Sequence, residues 1–183
     1  MSAKKQLNYI QYIMRLLKHP DDIITEEYKG FRKFGMVNIV IMAILLFLHS
    51  IIQEFSINNI ETIYDVHLYQ SVVFAISYII PLITILLFMN WVATKMIDKQ
   101  SIAYYVEKMG AVTFFPSLLL SISIIFYFYH DTIFSLMSSL AFTFIYIGVF
   151  VVSYLFSARF HFKISMIFVV LFYLFSKFIY YIL

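Results

Sequence analysis

VVFAISYIIPLITILLFMNWV, residues 72–92, runs for 21 residues without one charged side chain. As a helix rising about 1.5 Å per residue it extends about 30 Å, the thickness of a bilayer's hydrocarbon core. Four more runs of this kind share the chain: Gly35–Ile52, Ala111–Tyr129, Ile133–Phe156 and Ile164–Leu183. Together they predict an all-α, polytopic membrane helix bundle with five transmembrane helices, residues 34–183. Residues 1–33 form a separate cytoplasmic head.

Composition agrees. Of the 183 residues, 63% are hydrophobic and 13% charged, against about 25% charged in a water-soluble domain. Cysteine is absent, which excludes disulfides, thiol catalysis and thiolate-bound zinc or iron–sulfur clusters. Isoleucine, phenylalanine and tyrosine are abundant and alanine is scarce, a bias of AT-rich coding that suggests a low-GC bacterial source and hence a bacterial cytoplasmic membrane. The first run begins after more than thirty residues and no small-x-small site follows it, so it reads as a permanent span and not a cleaved signal.

Charge gives the orientation. Lys4, Lys5, Arg15, Lys18, Lys29, Arg32 and Lys33 precede the first span, Lys95, Lys99 and Lys108 lie between the second and third, and Arg159 and Lys163 between the fourth and fifth. The other two connections hold no Lys or Arg. Lys177, within the last span, is the exception and is expected to snorkel toward the nearer surface. The positive-inside rule therefore puts the N-terminus in the cytoplasm and Leu183 outside. Tyr127, Tyr129, Tyr180 and Tyr181 mark the outer interface, and Trp91, Tyr104 and Tyr105 the inner one.

Within the head, Lys4–Lys18 reads as an amphipathic helix. Leu7, Tyr9, Ile10, Ile13, Met14, Leu16 and Leu17 fall on one half of the wheel, and Lys4, Asn8, Gln11, Arg15 and Lys18 on a narrow polar stripe. With Lys5, this basic helix is expected to lie in the inner headgroup plane. Docking to a protein partner and packing on the chain's own cytoplasmic loops are the alternatives. His19-Pro20 ends it, and Asp21 or Asp22 is expected to cap a second short helix with Glu26 and Glu27 near its start.

The polar groups inside the spans are few. Asn38, His49 and Asn90 are placed to hydrogen-bond between helices or to line a polar path, and Pro81 and Pro116 each free a backbone carbonyl in mid-span. Ser117 and Ser121, and separately Ser135, Ser139 and Thr143, recur every four residues and read as small-residue packing seams. No GxGxxG, P-loop, HExxH or GxSxG is present. Glu26-Glu27 with Arg32, and Phe126-x-x-x-His130, stand near the EExxxR and FxxxH motifs of the CAAX-protease-like family. The arginine is one place too far, the acidic pair precedes the first span, and the third histidine motif is missing. Glu54, Glu61, Asp65, His67, His130 and Asp131 have no metal-ligand spacing. The expectation is a chain without catalytic residues, cofactor or metal, and without a nucleic-acid partner.

Ser101-Ile102-Ala103-Tyr104-Tyr105-Val106-Glu107-Lys108-Met109-Gly110-Ala111, leading to Pro116, resembles the polar cytoplasmic segment, glycine and early third-span proline of the Ypt-interacting protein (YIP) family. Five spans, short loops and a proline-bearing stretch before span one extend the likeness over residues 20–183. The Asp-Leu-Tyr-Gly-Pro signature of the eukaryotic members is missing. The resemblance implies a non-enzymatic scaffold or accessory factor that works with other membrane proteins, with itself or with the lipid bilayer. The rival expectation is a small transporter or channel subunit, although five spans do not divide into equal repeats.

Overall fold

Hydrocarbon offers no partner to a peptide group, so each apolar run satisfies its own backbone by closing into a single helix. The computed structural model describes residues 7–24, 27–58, 67–93, 100–156 and 161–183. Its elements are α1 (Tyr9–Lys18), a 3-10 turn (Pro20–Asp22), α2 (Arg32–Asn58), α3 (Leu68–Ala93), α4 (Ile102–Tyr127), α5 (Asp131–Phe156) and α6 (His161–Ile182). α2 to α6 are each long and apolar enough to cross a membrane, and the chain is an integral membrane protein.

The five spanning helices do not pack in chain order. α2 packs on α4, α4 on α5, α5 on α6, α6 on α3, and α3 back on α2, which closes a ring. Met42, Leu46, Leu82, Met89, Leu120, Ile145, Val149 and Phe172 fill its middle. Val40, Ile44, Leu87, Ile147, Val170 and Leu174 point outward and are exposed, as lipid-facing side chains must be. Thus one end of the ring gathers the starts of α2, α4 and α6, here called the head end. The far end gathers the starts of α3 and α5.

Two expectations about the elements change. α4 begins at Ile102, nine residues before the expected start at Ala111, with the Ser101 side chain accepting from the Tyr104 N–H. The supposed polar loop is therefore the first two turns of a spanning helix. Tyr104 and Tyr105, expected at the interface, are each 1% exposed and belong to the core. The second head helix is absent among the described residues: Asp21 and Asp22 sit inside a single 3-10 turn opened by Pro20, and Glu27 lies outside any helix. Pro20 supplies the fixed φ of a first helical position but too few residues follow to propagate a helix.

Candidate functional site

Two adjacent charges on α4, Glu107 and Lys108, are both 0% exposed. A buried ion is tolerable only when its hydrogen-bonding capacity is filled, and here the N-terminal segment fills it. Lys108 Nζ donates to the Ile23 and Glu27 carbonyls, 2.6 Å each, and to Glu107 Oε1 at 2.9 Å. That uses all three ammonium protons. Glu107 Oε1 also accepts from the Lys29 N–H at 2.9 Å, and Oε2 from the Phe31 N–H at 2.5 Å. Gly30, between those two donors, has φ +89°, a left-handed turn that aims both N–H groups at one carboxylate. The segment from Ile23 to Phe31 is thereby clasped to the start of α4.

Below the clasp α2 and α4 touch backbone to backbone. A Cβ on Gly110 would lie 2.1 Å from Gly35 Cα, and one on Gly35 2.5 Å from the Val106 carbonyl oxygen. Asn38, one turn along α2, donates from Nδ2 to the Gly110 carbonyl at 2.7 Å. Its Oδ1 accepts from the Tyr9 hydroxyl at 2.6 Å, so one amide joins α1, α2 and α4.

α1 begins with a reciprocal cap: the Asn8 side chain accepts from the Gln11 N–H, and the Gln11 side chain from the Asn8 N–H. Tyr12 and Leu16, both 0% exposed, pack with Ile23, Phe31, Phe34, Ala111, Phe114 and Phe115. Burial, with Glu107 and Tyr9 nearby, pushes the Tyr12 phenol above its ordinary pKa. Ile10, Met14 and Leu17, on the other edge of the same apolar arc, are 71%, 48% and 48% exposed. The alternative expectation is packing on the chain's own cytoplasmic loops; besides Ile23 and Phe31, the edge of α1 that carries Tyr12 and Leu16 packs on the starts of the spanning helices α2 and α4. The helix is not simply laid on the membrane, because its aromatic edge finds a groove between α2 and α4. Leu7 is half-buried, Arg15 and Lys18 are exposed, and Lys4 and Lys5 lie outside the described residues, as do Glu26, Lys95, Lys99 and Arg159.

The other expected residues fall in different places. Ser117 is buried and Ser121 half-buried on α4, each bonding back to the carbonyl four residues earlier. Ser135, Ser139 and Thr143 are exposed, so within this chain they form no packing seam. The buried line of α5 is Ser138, Ala141, Ile145, Val149 and Val152. A hydroxyl can face lipid because it satisfies itself, as Thr143 Oγ1 does on the Ser139 carbonyl at 3.0 Å. Pro81 and Pro116 are buried within the unbroken helices α3 and α4, and Asn90 is half-buried near the end of α3. Phe126 and His130 close α4 at the far end, about 30 Å from Glu107 along its axis. They share no site with Glu27. Among the described residues no three His, Asp or Glu side chains gather as a metal site.

The far end holds what the sequence did not single out. A cavity of about 380 Å³ opens among α2, α3, α5 and α6, walled by Glu54, Gln70, Tyr146, Ser176 and Lys177. Its floor includes Tyr78, ten residues and so about 15 Å down α3 from Leu68. Ser176 Oγ is buried without a hydrogen-bond partner. The usable signal was a phase relation: Ser50, Gln53 and Glu54 on α2, and Ser176, Lys177 and Tyr180 on α6, each line one helix face. No protein-family model, curated protein or solved structure matches this chain.

Proposed function

We propose that this protein is a non-enzymatic scaffold or accessory factor of the bacterial cytoplasmic membrane, working on neighbouring membrane proteins through its head. The observation that carries the reading is the division of α1's apolar arc. Tyr12 and Leu16 are fixed to the bundle, while Ile10, Met14 and Leu17 remain exposed beside Arg15 and Lys18. α1 is docked at the level of Phe34 and Asn38, in the first two turns of α2, which on the N-in orientation would stand at the inner leaflet. An apolar edge at that depth, bordered on α1 by the exposed Arg15 and Lys18, suits the acyl–headgroup boundary of an anionic leaflet. On this reading the head is a shelf at the inner interface, and a neighbour would meet it in the plane of the membrane. The five-span plan that resembles the YIP family favours the same reading, with the head cytoplasmic and Leu183 outside.

The exposed edge can be changed without touching the docked one. Ile10→Ser, Met14→Ser and Leu17→Ser together should leave the protein inserted and folded, yet remove the neighbours recovered by crosslinking in native membranes. Recovery of the same neighbours from the triple variant would show that the head is not the working part. Orientation has its own test. A cysteine at Asp131 should react with an impermeant thiol reagent in intact cells, and one at Ser101 only after lysis.

A second reading, a small transporter or channel subunit, draws on the polar cavity at the far end. A through-path would have to open the Gly35–Gly110 contact and the Glu107–Lys108 clasp at the other end. Solute flux by purified protein in liposomes would promote this reading over the first.

A further inference from the structure

We propose that the far-end cavity binds an ammonium–phosphate zwitterion, its ammonium on Glu54 and its phosphate on Lys177. Among the described residues, these two are the ionisable side chains on the cavity wall apart from tyrosines, and they carry opposite signs. An anion would face the largely buried Glu54 carboxylate, whose side chain is 12% exposed, and a cation would leave the Lys177 ammonium to solvent. A zwitterion pairs both.

The wall has unused capacity of the required kinds. Glu54, its side chain 12% exposed, takes one bond on Oε2 from the His67 N–H at 2.9 Å, and His67 Nδ1 stands 3.8 Å from the same oxygen. Oε1 takes no bond from a described residue, and Lys177 has no ion pair among them. Ser176 Oγ, beside Lys177, is a buried hydroxyl with no partner, which is costly unless something enters the cavity to bond it. Phe74, Tyr78, Tyr146 and Tyr180 add ring faces, and an ammonium is attracted to a ring face. A volume of about 380 Å³ lies at the small-ligand end of the range for binding sites. The anion is taken as phosphate because a lysine binds it as a point charge. The cavity is also lined near the ends of helices long enough to cross a membrane, the level at which headgroups would stand.

The same chemistry has two sources, a phospholipid headgroup still in its leaflet or a free phosphorylated amine. Purified protein in maltoside should be titrated with phosphoethanolamine, following its thermal midpoint. In parallel, retention of phosphatidylethanolamine against phosphatidylglycerol should be read by native mass spectrometry from nanodiscs holding both. A saturable rise in midpoint assigns the free amine as a source. Selective retention of phosphatidylethanolamine assigns the headgroup. In whichever arm binds, Glu54→Gln and Lys177→Gln should each weaken binding at least tenfold while leaving the unliganded midpoint near wild type. Lys177 is exposed, so its variant folds whatever Glu54→Gln does. No binding in either arm, or binding that both variants keep, overturns the proposal.

Discussion

The two ends of the bundle handle polar groups in opposite ways. At the head end, Lys108 has all three protons committed and Glu107 both oxygens, and Gly35 and Gly110 leave no space for a side chain. At the far end, Ser71 and Ser176 are buried hydroxyls without partners among the described residues. His49, in the same half, is 1% exposed with neither ring nitrogen bonded, its ring stacked on Phe134. Saturated groups fix geometry, because any movement breaks a bond that nothing replaces. Unsaturated groups hold capacity for something that is not part of the chain. The interior of the head end is thus fixed, leaving α1's exposed edge for contact, while the far end keeps a cavity with open capacity.

The strongest way to break this contrast is at the glycine contact. Gly110→Val places side-chain atoms where Gly35 backbone already stands, and backbone cannot yield as a side chain can. We expect no folded protein in detergent extracts by size-exclusion chromatography. Gly148→Ala is the control: its Cβ would meet the Val112 side chain at 3.1 Å, and a midpoint shift worth under about 1 kcal/mol is expected.

Next in size is the clasp. Lys108→Met leaves the Glu107 carboxylate and two carbonyls without their cation, a loss of about 3–5 kcal/mol. Glu107→Gln combined with Lys108→Met should recover most of it, because no buried charge then lacks a partner. Lys177→Met at the far end removes an equal charge from an exposed site and should stay within about 0.5 kcal/mol. Chemical denaturation in mixed micelles compares the three. Equal losses at Lys108 and Lys177 would erase the distinction between the ends.

The sequence made the spans legible because hydrophobic length is a local property: the five runs lie within α2 to α6 to within a few residues, except at the start of α4. Glu107 and Lys108 looked like loop charges because their partners, the peptide groups of Ile23, Glu27, Lys29 and Phe31, have no side-chain signature and lie 76 to 85 residues away. The seam on α5 had the right period and the wrong phase, since serines do not say which way they face. The three-residue spacing of Asn8-x-x-Gln11, and the glycines Gly35 and Gly110 near the starts of α2 and α4, were readable signals of the head's docking.

Gly30 sharpens the comparison more gently. A Cβ there meets nothing within 4 Å, so Gly30→Ala tests the φ of +89° alone. The cost should be about 1–2 kcal/mol, the penalty of a left-handed residue with a side chain. It should also speed amide hydrogen exchange at Lys29 and Phe31, whose N–H groups hold the carboxylate. Unchanged exchange would mean that the turn does not depend on glycine.

One group at the head end breaks the pattern, and it gives the smallest effect. The Tyr12 hydroxyl is buried with no partner. Tyr12→Phe removes an unpaired polar atom and keeps the ring packing, so it should be neutral or stabilising by up to about 1 kcal/mol. The alkaline limb separates the two proteins. Because burial holds the folded phenol's pKa above the unfolded value, its contribution is intact below about pH 10 and is lost as the pH rises past that value. Wild type should therefore lose midpoint between about pH 10 and 11.5 more steeply than Tyr12→Phe. A residual slope should remain in the variant from Tyr9, whose pKa burial also raises. Parallel curves would mean that the hydroxyl reaches water, and that the head end has no unsaturated group at all.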